Sequence, residues 1–453
     1  MTQHPTGGKK NMSLSAQTLR IRTRAREWSQ SGRKHWDLYR YLSDPYLLHD
    51  ALKLVMANRG AAGLDGQTVK EIRGQEWEFC RHLACELKKG TYRPSAVRRV
   101  YIPKSAGGER PLGIPTLRDR TVQRALCLLL ETIYEPKFHE FSFGFRPGKR
   151  AVDCVAQVAK TVDTHRYVLE ADIAQFFNRV SHNKTLALLS QEIVDKRIVR
   201  LISRFLKAGF VEPGKPWQPS LEGTPQGGPL SPLLANIYLH YFLDTKFVEM
   251  FGTSARVKMF RYADDFVMVA TTRQDLSALY RCLGGWMREA GLSLKAEKTR
   301  AVDMTNRSRS HTSKFDFLGF KIHLRAYRDN PKRFWIARQP SERSRLNLRT
   351  ALRVRMQAHL SVKEVSARMR ATWIGWCNYF SQGNSNRVFY RERDSVRRLI
   401  GRYLRRKFRR TRKPVSWRRL CALAEQMMRE IRPVRVQNSR SGERQTAFRF
   451  GGA

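Results

Sequence analysis

No run of apolar residues in this chain approaches the ~18–20 that a membrane-spanning helix needs, and no apolar core of a signal peptide is visible. Paired cysteines are missing as well. Cys80, Cys85, Cys127, Cys154, Cys282, Cys377 and Cys421 are odd in number and scattered, with no C-x-x-C among them. That spacing argues against a zinc ribbon or any cysteine-ligated zinc module, and reads as reduced packing thiols in a cytosolic compartment. Internal repeats and long low-complexity tracts are absent too. Acids are scarce: 39 Asp and Glu stand against 86 Lys and Arg, a formal charge of +47. A compact protein repelling itself on that scale needs a polyanionic partner. A membrane surface would suit the charge, but basic residues spread along the whole chain and densest near its C-terminus are the footprint of a large RNA or DNA surface. What the chain does have is apolar content, 41% over 453 residues, enough for real cores in about three domains.

Residues 1 to about 35 are polar and basic, with no acid before Glu27. They suit organellar import or, in keeping with the charge of the whole chain, a basic arm that orders on nucleic acid. Apolar periodicity predicts one helix from Trp36 to about Asn58 and a second from Glu76 to Lys88, closed by Lys88-Lys89-Gly90. Arg98 to Lys104 and Arg110 to Pro115 read as a hairpin with a Gly-containing turn. Lys104 and Arg110 beside its tip are either solvated edge charges or phosphate donors. Helices are expected over Asp119–Tyr134, Asn183–Arg200 and Asp275–Ala290, and Tyr167–Ile173 reads as a strand ending in an acid. Ser231-Pro232 is a helix start, with Ser as the cap and Pro at the first helical position. The glycines just before it let a backbone approach something closely. Beyond about residue 330 the pattern is one of Arg-rich helices, and Ser361 with Glu364 forms a capping box. The helix from about Ser385 carries Leu399, Ile400, Tyr403, Leu404 and Phe408 as an apolar stripe. Arg397, Arg398, Arg402, Arg405, Arg406 and Arg409 make its basic face, which is either merely solvated or, with few acids to balance it, laid along a phosphate backbone.

The segment Arg261-Tyr262-Ala263-Asp264-Asp265-Phe266 sets two adjacent carboxylates between apolar, β-branched and aromatic flanks, so that a hairpin would hold both at its tip. The plain reading is a polar turn with solvated aspartates. The chemical reading is that two carboxylates so close repel each other and are costly to desolvate unless a cation neutralises them, and Mg²⁺ suits hard oxygen ligands. A third acid, Asp172, ends the strand that lies about 90 residues earlier, and a helical excursion of that length is expected between strands of one sheet. Carboxylates converging from separate elements are what two-metal nucleotidyl transfer requires. Phe177, just after Asp172, is either core packing or a ring placed beneath an incoming sugar to exclude a 2′-hydroxyl.

Several segments together resemble the reverse transcriptases, in the form found in bacterial group II intron-encoded proteins of the endonuclease-lacking type. They are Asp172-Ile173 with Phe176-Phe177, Thr224-Pro225-Gln226-Gly227-Gly228-Pro229-Leu230-Ser231-Pro232, and Tyr262-Ala263-Asp264-Asp265. The resemblance extends to Gly63-Leu64-Asp65-Gly66, Arg110-Pro111-Leu112-Gly113-Ile114-Pro115, Phe143-Gly144-Phe145-Arg146-Pro147, Glu297-Lys298-Thr299 and Phe317-Leu318-Gly319-Phe320. Trp373 to Phe380 is similar to the thumb segment of the maturase region. Coverage runs from about residue 36 to 410.

The resemblance implies an α+β right-hand polymerase with an antiparallel palm sheet and an α-helical thumb. Its parts would be a basic N-terminal extension (1–35), fingers (36–165), palm (166–328), thumb or maturase domain (329–410) and a basic tail (411–453), a candidate for DNA binding. It implies an RNA-directed DNA polymerase using two Mg²⁺ ions, held by Asp172, the Ile173 carbonyl, Asp264 and Asp265. Lys104 and Arg110 would hold the triphosphate, Gln226 would touch nucleotide or template, Phe177 would gate the sugar and Lys298 would lie on the primer side. The implied partners are a structured intron RNA, a DNA target or primer and dNTPs, in a ribonucleoprotein of the bacterial cytoplasm with no membrane. Departures are Asn178, where the family often has Asp, and Lys149-Arg150-Ala151-Val152, where it usually has Ser and His. The tail from Thr411 to Ala453 has only Cys421 and no His, so second-strand cleavage by a Cys- and His-containing endonuclease is not expected. Two other readings stay open: a related polymerase serving diversity generation or phage defence, and an RNA-binding splicing cofactor that does not polymerise.

Overall fold

The computed structural model describes residues 13–32, 34–35, 37–103, 108–305, 313–327, 329–330, 332–409 and 415–431. The N-terminal layer is helical: α1 (Ala16–Gln30), α2 (Leu38–Leu42), α3 (Pro45–Ala57) and α4 (Glu76–Lys89). The expected basic arm therefore contains a helix. Ser15 accepts a hydrogen bond from the Thr18 amide as its cap, and Ile21 and Ala25 are buried, while Arg20, Arg24 and Arg26 stay exposed. The helix expected over Trp36–Asn58 is two, because Asp44 caps a new start with Pro45 at its first position. A hairpin follows, β1 (Val97–Pro103) and β2 (Glu109–Ile114), paired from Arg98 opposite Ile114 to Pro103 opposite Glu109. Lys104 lies outside the described residues. α5 (Leu117–Tyr134) is capped by Thr116 and runs through the middle of this layer, with Val122, Leu126, Leu129, Leu130 and Ile133 buried.

The central sheet comes next. After α6 (Ala151–Val162) and β3 (Tyr167–Asp172) the chain leaves through α7 (Phe176–Arg179), α8 (His182–Glu192), α9 (Lys196–Lys207) and a two-residue β4 (Phe210–Val211) that pairs parallel with β1. The single helix expected over Asn183–Arg200 is broken where Asp195 caps α9 through the Arg197 amide. α10 (Ser231–Leu239) continues into a π-helical turn, His240–Asp244, and α11 (Thr245–Phe251). Ser231 begins α10 but does not cap it; its hydroxyl donates 2.7 Å to the Pro225 carbonyl and ties down the glycine-rich loop. β5 (Val257–Tyr262), β6 (Asp265–Ala270), α12 (Arg273–Ala290) and β7 (Arg300–Asp303) complete an antiparallel sheet of order β5-β6-β3-β7. Its side chains alternate between two cores. Val168, Val267 and Val269 face Val155 and Val158 of α6, while Leu169, Phe266 and Met268 face Leu279 and Leu283 of α12.

Beyond the sheet, β8 (Lys314–Phe317), β9 (Phe320–Ala326) and β10 (Phe334–Pro340) form a second antiparallel sheet of order β10-β9-β8. β10 is a correction to the expectation of helices alone after residue 330. α13 (Glu342–Arg355), α14 (Val362–Phe380) and α15 (Asn386–Phe408) pack on it around Trp373, Phe389 and Ile400, and the Ser361–Glu364 capping box is present. α16 (Trp417–Arg429) lies along α15 and buries Met427 and Met428, so this part of the basic tail belongs to the helical core. Among the described residues no helix is long and apolar enough to cross a membrane.

Candidate active site

Strand pairing gathers the acids. Asp172 ends β3 directly opposite Asp265, the first residue of β6, and Asp265 also pairs with Tyr262 at the end of β5. Asp264 sits in the turn between. Ala263 takes a left-handed backbone, φ 58°, uncommon for a residue with a side chain. A loop presses on this turn from the side: a Cβ on Gly144 would stand 2.1 Å from the Ala263 nitrogen, so no larger residue fits. The next residue, Phe145, is exposed, also left-handed at φ 59°, and places its ring 6.4 Å from that of Tyr262.

The carboxylates crowd one another. Asp265 is pushed up to about 8, first by loss of water and then by the charges of Asp264, Asp172 and Glu170. Asp264 is raised too, chiefly by burial and further by Asp172, while Arg110 and Lys295 draw it down. Asp172 faces two lysines: Lys295 at 3.2 Å, and Lys298 in direct ion pair. The Lys295 amide also donates 2.8 Å to the Asp172 carbonyl, so this loop is latched to β3 by backbone and side chain. Among the described residues no three His, Cys, Asp or Glu side chains are drawn together into a ready-made metal cluster. The donor chemistry nevertheless fits a hard divalent cation: three acids from two strands and the turn beside them, two of them raised first by burial and then by one another's negative charge, which a bound cation would offset.

The other predicted residues divide. Arg110 on β2 donates 2.6 Å from Nε to Gln226 Oε1, and the Gln226 carbonyl accepts 2.6 Å from the Gly113 amide, so hairpin and glycine-rich loop form one surface. Gly227, at φ 124°, comes so close to the Gly113 carbonyl that a Cβ would stand 2.3 Å from it. Phe177 is buried, edge-on to Phe176, and its carbonyl accepts 2.7 Å from the Thr224 amide at the start of the same loop. Ile173 is buried and bridges to Leu294, just before Lys295. Arg397, Arg398, Arg402, Arg405 and Arg406 sit on α15 and Arg409 caps its end, all exposed; Arg406 donates 2.9 Å to the Met356 carbonyl. Sequence reasoning missed Lys295, whose spacing of three from Lys298 was the available signal. It also passed over Arg261, which reads as an ordinary strand charge and is fully buried.

Residues 102–322 match the family described as reverse transcriptase (RNA-dependent DNA polymerase), and residues 345–421 match the group II intron, maturase-specific domain. The acids, Arg110, Gln226 and the two lysines lie within the first match, and the α15 arginines within the second. Protein YkfC of Escherichia coli (strain K12) is 32% identical over 345 residues, 68% of this chain and 88% of that protein. Group II intron-encoded protein LtrA of Lactococcus lactis subsp. cremoris is 40% identical over 206 residues, 45% of this chain and 34% of LtrA. A 91 kDa protein in the cob intron of Schizosaccharomyces pombe is 40% identical over 154 residues, 34% of this chain and 19% of that protein. The alignments thus span most of YkfC but about a third of LtrA.

Proposed function

This chain belongs to the reverse transcriptase family and carries a group II intron maturase-specific domain, and from that premise we propose that it copies RNA into DNA and promotes splicing of a structured intron RNA. The observation that carries the reading is the pairing of β3 with β6, which sets Asp172 opposite Asp265 with Asp264 in the adjoining turn. In this reading Asp172, Asp264 and Asp265, with the Ile173 carbonyl, hold two Mg²⁺, whose chemistry is to activate the attacking hydroxyl and neutralise the leaving phosphate. Lys295 and Lys298 balance Asp172 in the meantime, and Lys298 lies on the primer side. Arg110, held in place by Gln226, takes the triphosphate together with Lys104. The amide nitrogen of Gln226 is left to meet nucleotide or template. Phe177, fastened to the loop at Thr224, excludes a 2′-hydroxyl.

The right-hand architecture divides, in this proposal, into fingers over 36–165, palm over 166–328 and thumb over 329–410, with α1 added to the fingers and α16 to the thumb. The α15 arginines follow phosphates, which position a duplex without reading its sequence. Partners are intron RNA, a DNA target or primer and dNTPs, within a ribonucleoprotein.

The test is extension of a DNA primer on an RNA template by the full chain with Mg²⁺. Parent protein extends; Asp264→Ala does not, and still binds RNA. Extension by Asp264→Ala at the parental rate would show that this acid is misassigned. RNA recovered with the purified protein identifies its partner. Acceleration of splicing without any nucleotide incorporation would instead favour the splicing-cofactor reading.

A further inference from the structure

Arg261 has no part in the chemistry above, yet it is the most completely enclosed charge beside it. It and Asp244 are both fully buried. A guanidinium is taken out of water at high cost unless each of its donors is met, and here all five are. Nε donates 2.7 Å to Asp244 Oδ1. Nη2 donates to the other Asp244 oxygen and, at 2.7 Å, to Ser142 Oγ. Nη1 donates 3.0 Å to Asn236 Oδ1 and 3.1 Å to the Ala263 carbonyl.

Each acceptor comes from a different element. Asp244 closes the π-helical turn after α10, a kind of segment found often at functional sites. Asn236 lies in α10 and passes a second bond, 2.7 Å, to the Gly144 carbonyl. Ser142 precedes Gly144, the residue wedged against Ala263. The backbone seals the same corner: the Phe143 amide donates 2.8 Å to the Arg261 carbonyl, and the Arg261 amide 2.9 Å to that of Phe141. One guanidinium thus joins helix, loop and turn, and its bond into the turn reaches the left-handed residue next to Asp264.

Stability alone is a poor account of this arrangement. A buried ion pair replaced by well-packed apolar residues is often no less stable. What an apolar residue cannot supply is direction, a donor aimed at one carbonyl. We propose that Arg261, clamped by Asp244, Asn236 and Ser142, is a positioning residue that holds Ala263 in its left-handed form and so sets where the Asp264 carboxylate meets a divalent cation. The proposal rests on Asp264 being a metal ligand.

The test compares the full chain with Arg261→Lys and Ser142→Ala. Binding of Mn²⁺, standing in for Mg²⁺, is counted by paramagnetic resonance without nucleotide; metal-free binding of a primer–template duplex and primer extension are measured beside it. Lysine keeps the charge but cannot reach five acceptors. Arg261→Lys is expected to weaken Mn²⁺ binding about tenfold, the scale seen when groups orienting metal ligands are disturbed. It should lower kcat while the KM for dNTP and metal-free duplex binding stay parental. Ser142→Ala leaves the ion pair intact and shows a smaller loss of the same kind. Parental Mn²⁺ affinity in folded Arg261→Lys, or in Ser142→Ala should the lysine variant not fold, overturns the proposal; so does loss of metal-free duplex binding in step with metal. A parent that binds no Mn²⁺ and extends no primer fails the polymerase reading itself. A parent that does both, matched by its variants, fails this inference alone.

Discussion

Asp265 is the residue on which the electrostatics turn. Its folded-state value of about 8 lies far above that of a free aspartate, near 3.9. A carboxyl raised in this way favours the folded chain while protonated. That contribution is complete below pH ~4 and lost as pH rises through about 8. A cation competes with the same proton, so its affinity rises over that window. The melting temperature gained on adding Mg²⁺ is therefore expected to be larger at pH 8 than at pH 6, and Asp265→Asn should flatten the difference. An equal gain at both values would mean that this carboxyl is not the group the ion meets. Phe177 makes a second prediction at this scale. If its ring is the sugar gate, Phe177→Val admits ribonucleotides roughly tenfold more readily relative to deoxynucleotides, a modest ratio of the size that a steric pocket sets. Competitive incorporation assays read it directly, and an unchanged ratio would return Phe177 to plain core packing.

At the scale of elements, what could be foreseen and what could not have physical causes. The hairpin holding Asp264 and Asp265 was legible because apolar flanks around a short polar tip have few other solutions. The strand ending in Asp172 was legible for the same reason. The two split helices were misread because apolar spacing runs on across a break; Asp44-Pro45 and Asp195 were the stop signals, and a cap outweighs periodicity. α1 hid behind its arginines, although Ser15, Thr18, Ile21 and Ala25 have the cap and spacing of a half-buried helix. β10 hid in the same way among basic residues. Of the site, Lys295 offered only its spacing from Lys298, since its partner Asp172 lies far back in the chain, and Arg261 offered nothing, since its pairing with Asp244 is made only by the fold. In the C-terminal layer, Glu392 is fully buried and paired with Arg345 at 2.6 Å and Arg349 at 2.7 Å, joining α15 to α13. Both arginines keep partial contact with water, so Glu392→Ala is expected to cost about 2–3 kcal/mol, the range for losing hydrogen bonds to a charged group. Denaturant titration measures it, and Mn²⁺ binding at the distant acids should be unaffected. Destabilisation below experimental error would show that the pair is incidental.

The molecule as a whole carries +47, and its affinity for RNA should fall steeply as salt rises because bound phosphates release counterions. The exposed arginines of α15 make that expectation specific. Replacing Arg402 and Arg409 by Gln should reduce the slope of log affinity against log salt by about one for each phosphate contact removed. The weakening should be similar across RNA sequences. An unchanged slope would make this face solvated only. The proposed polymerase metal site depends on β3 and β6 bringing together acids far apart in the chain. Its most direct test is extension of a DNA primer on an RNA template by Asp172→Asn, the acid on the other strand from the hairpin. The variant is expected to bind primer–template as the parent does and to add no nucleotide at any Mg²⁺ concentration; extension at the parental rate would mean that Asp172 holds no catalytic ion.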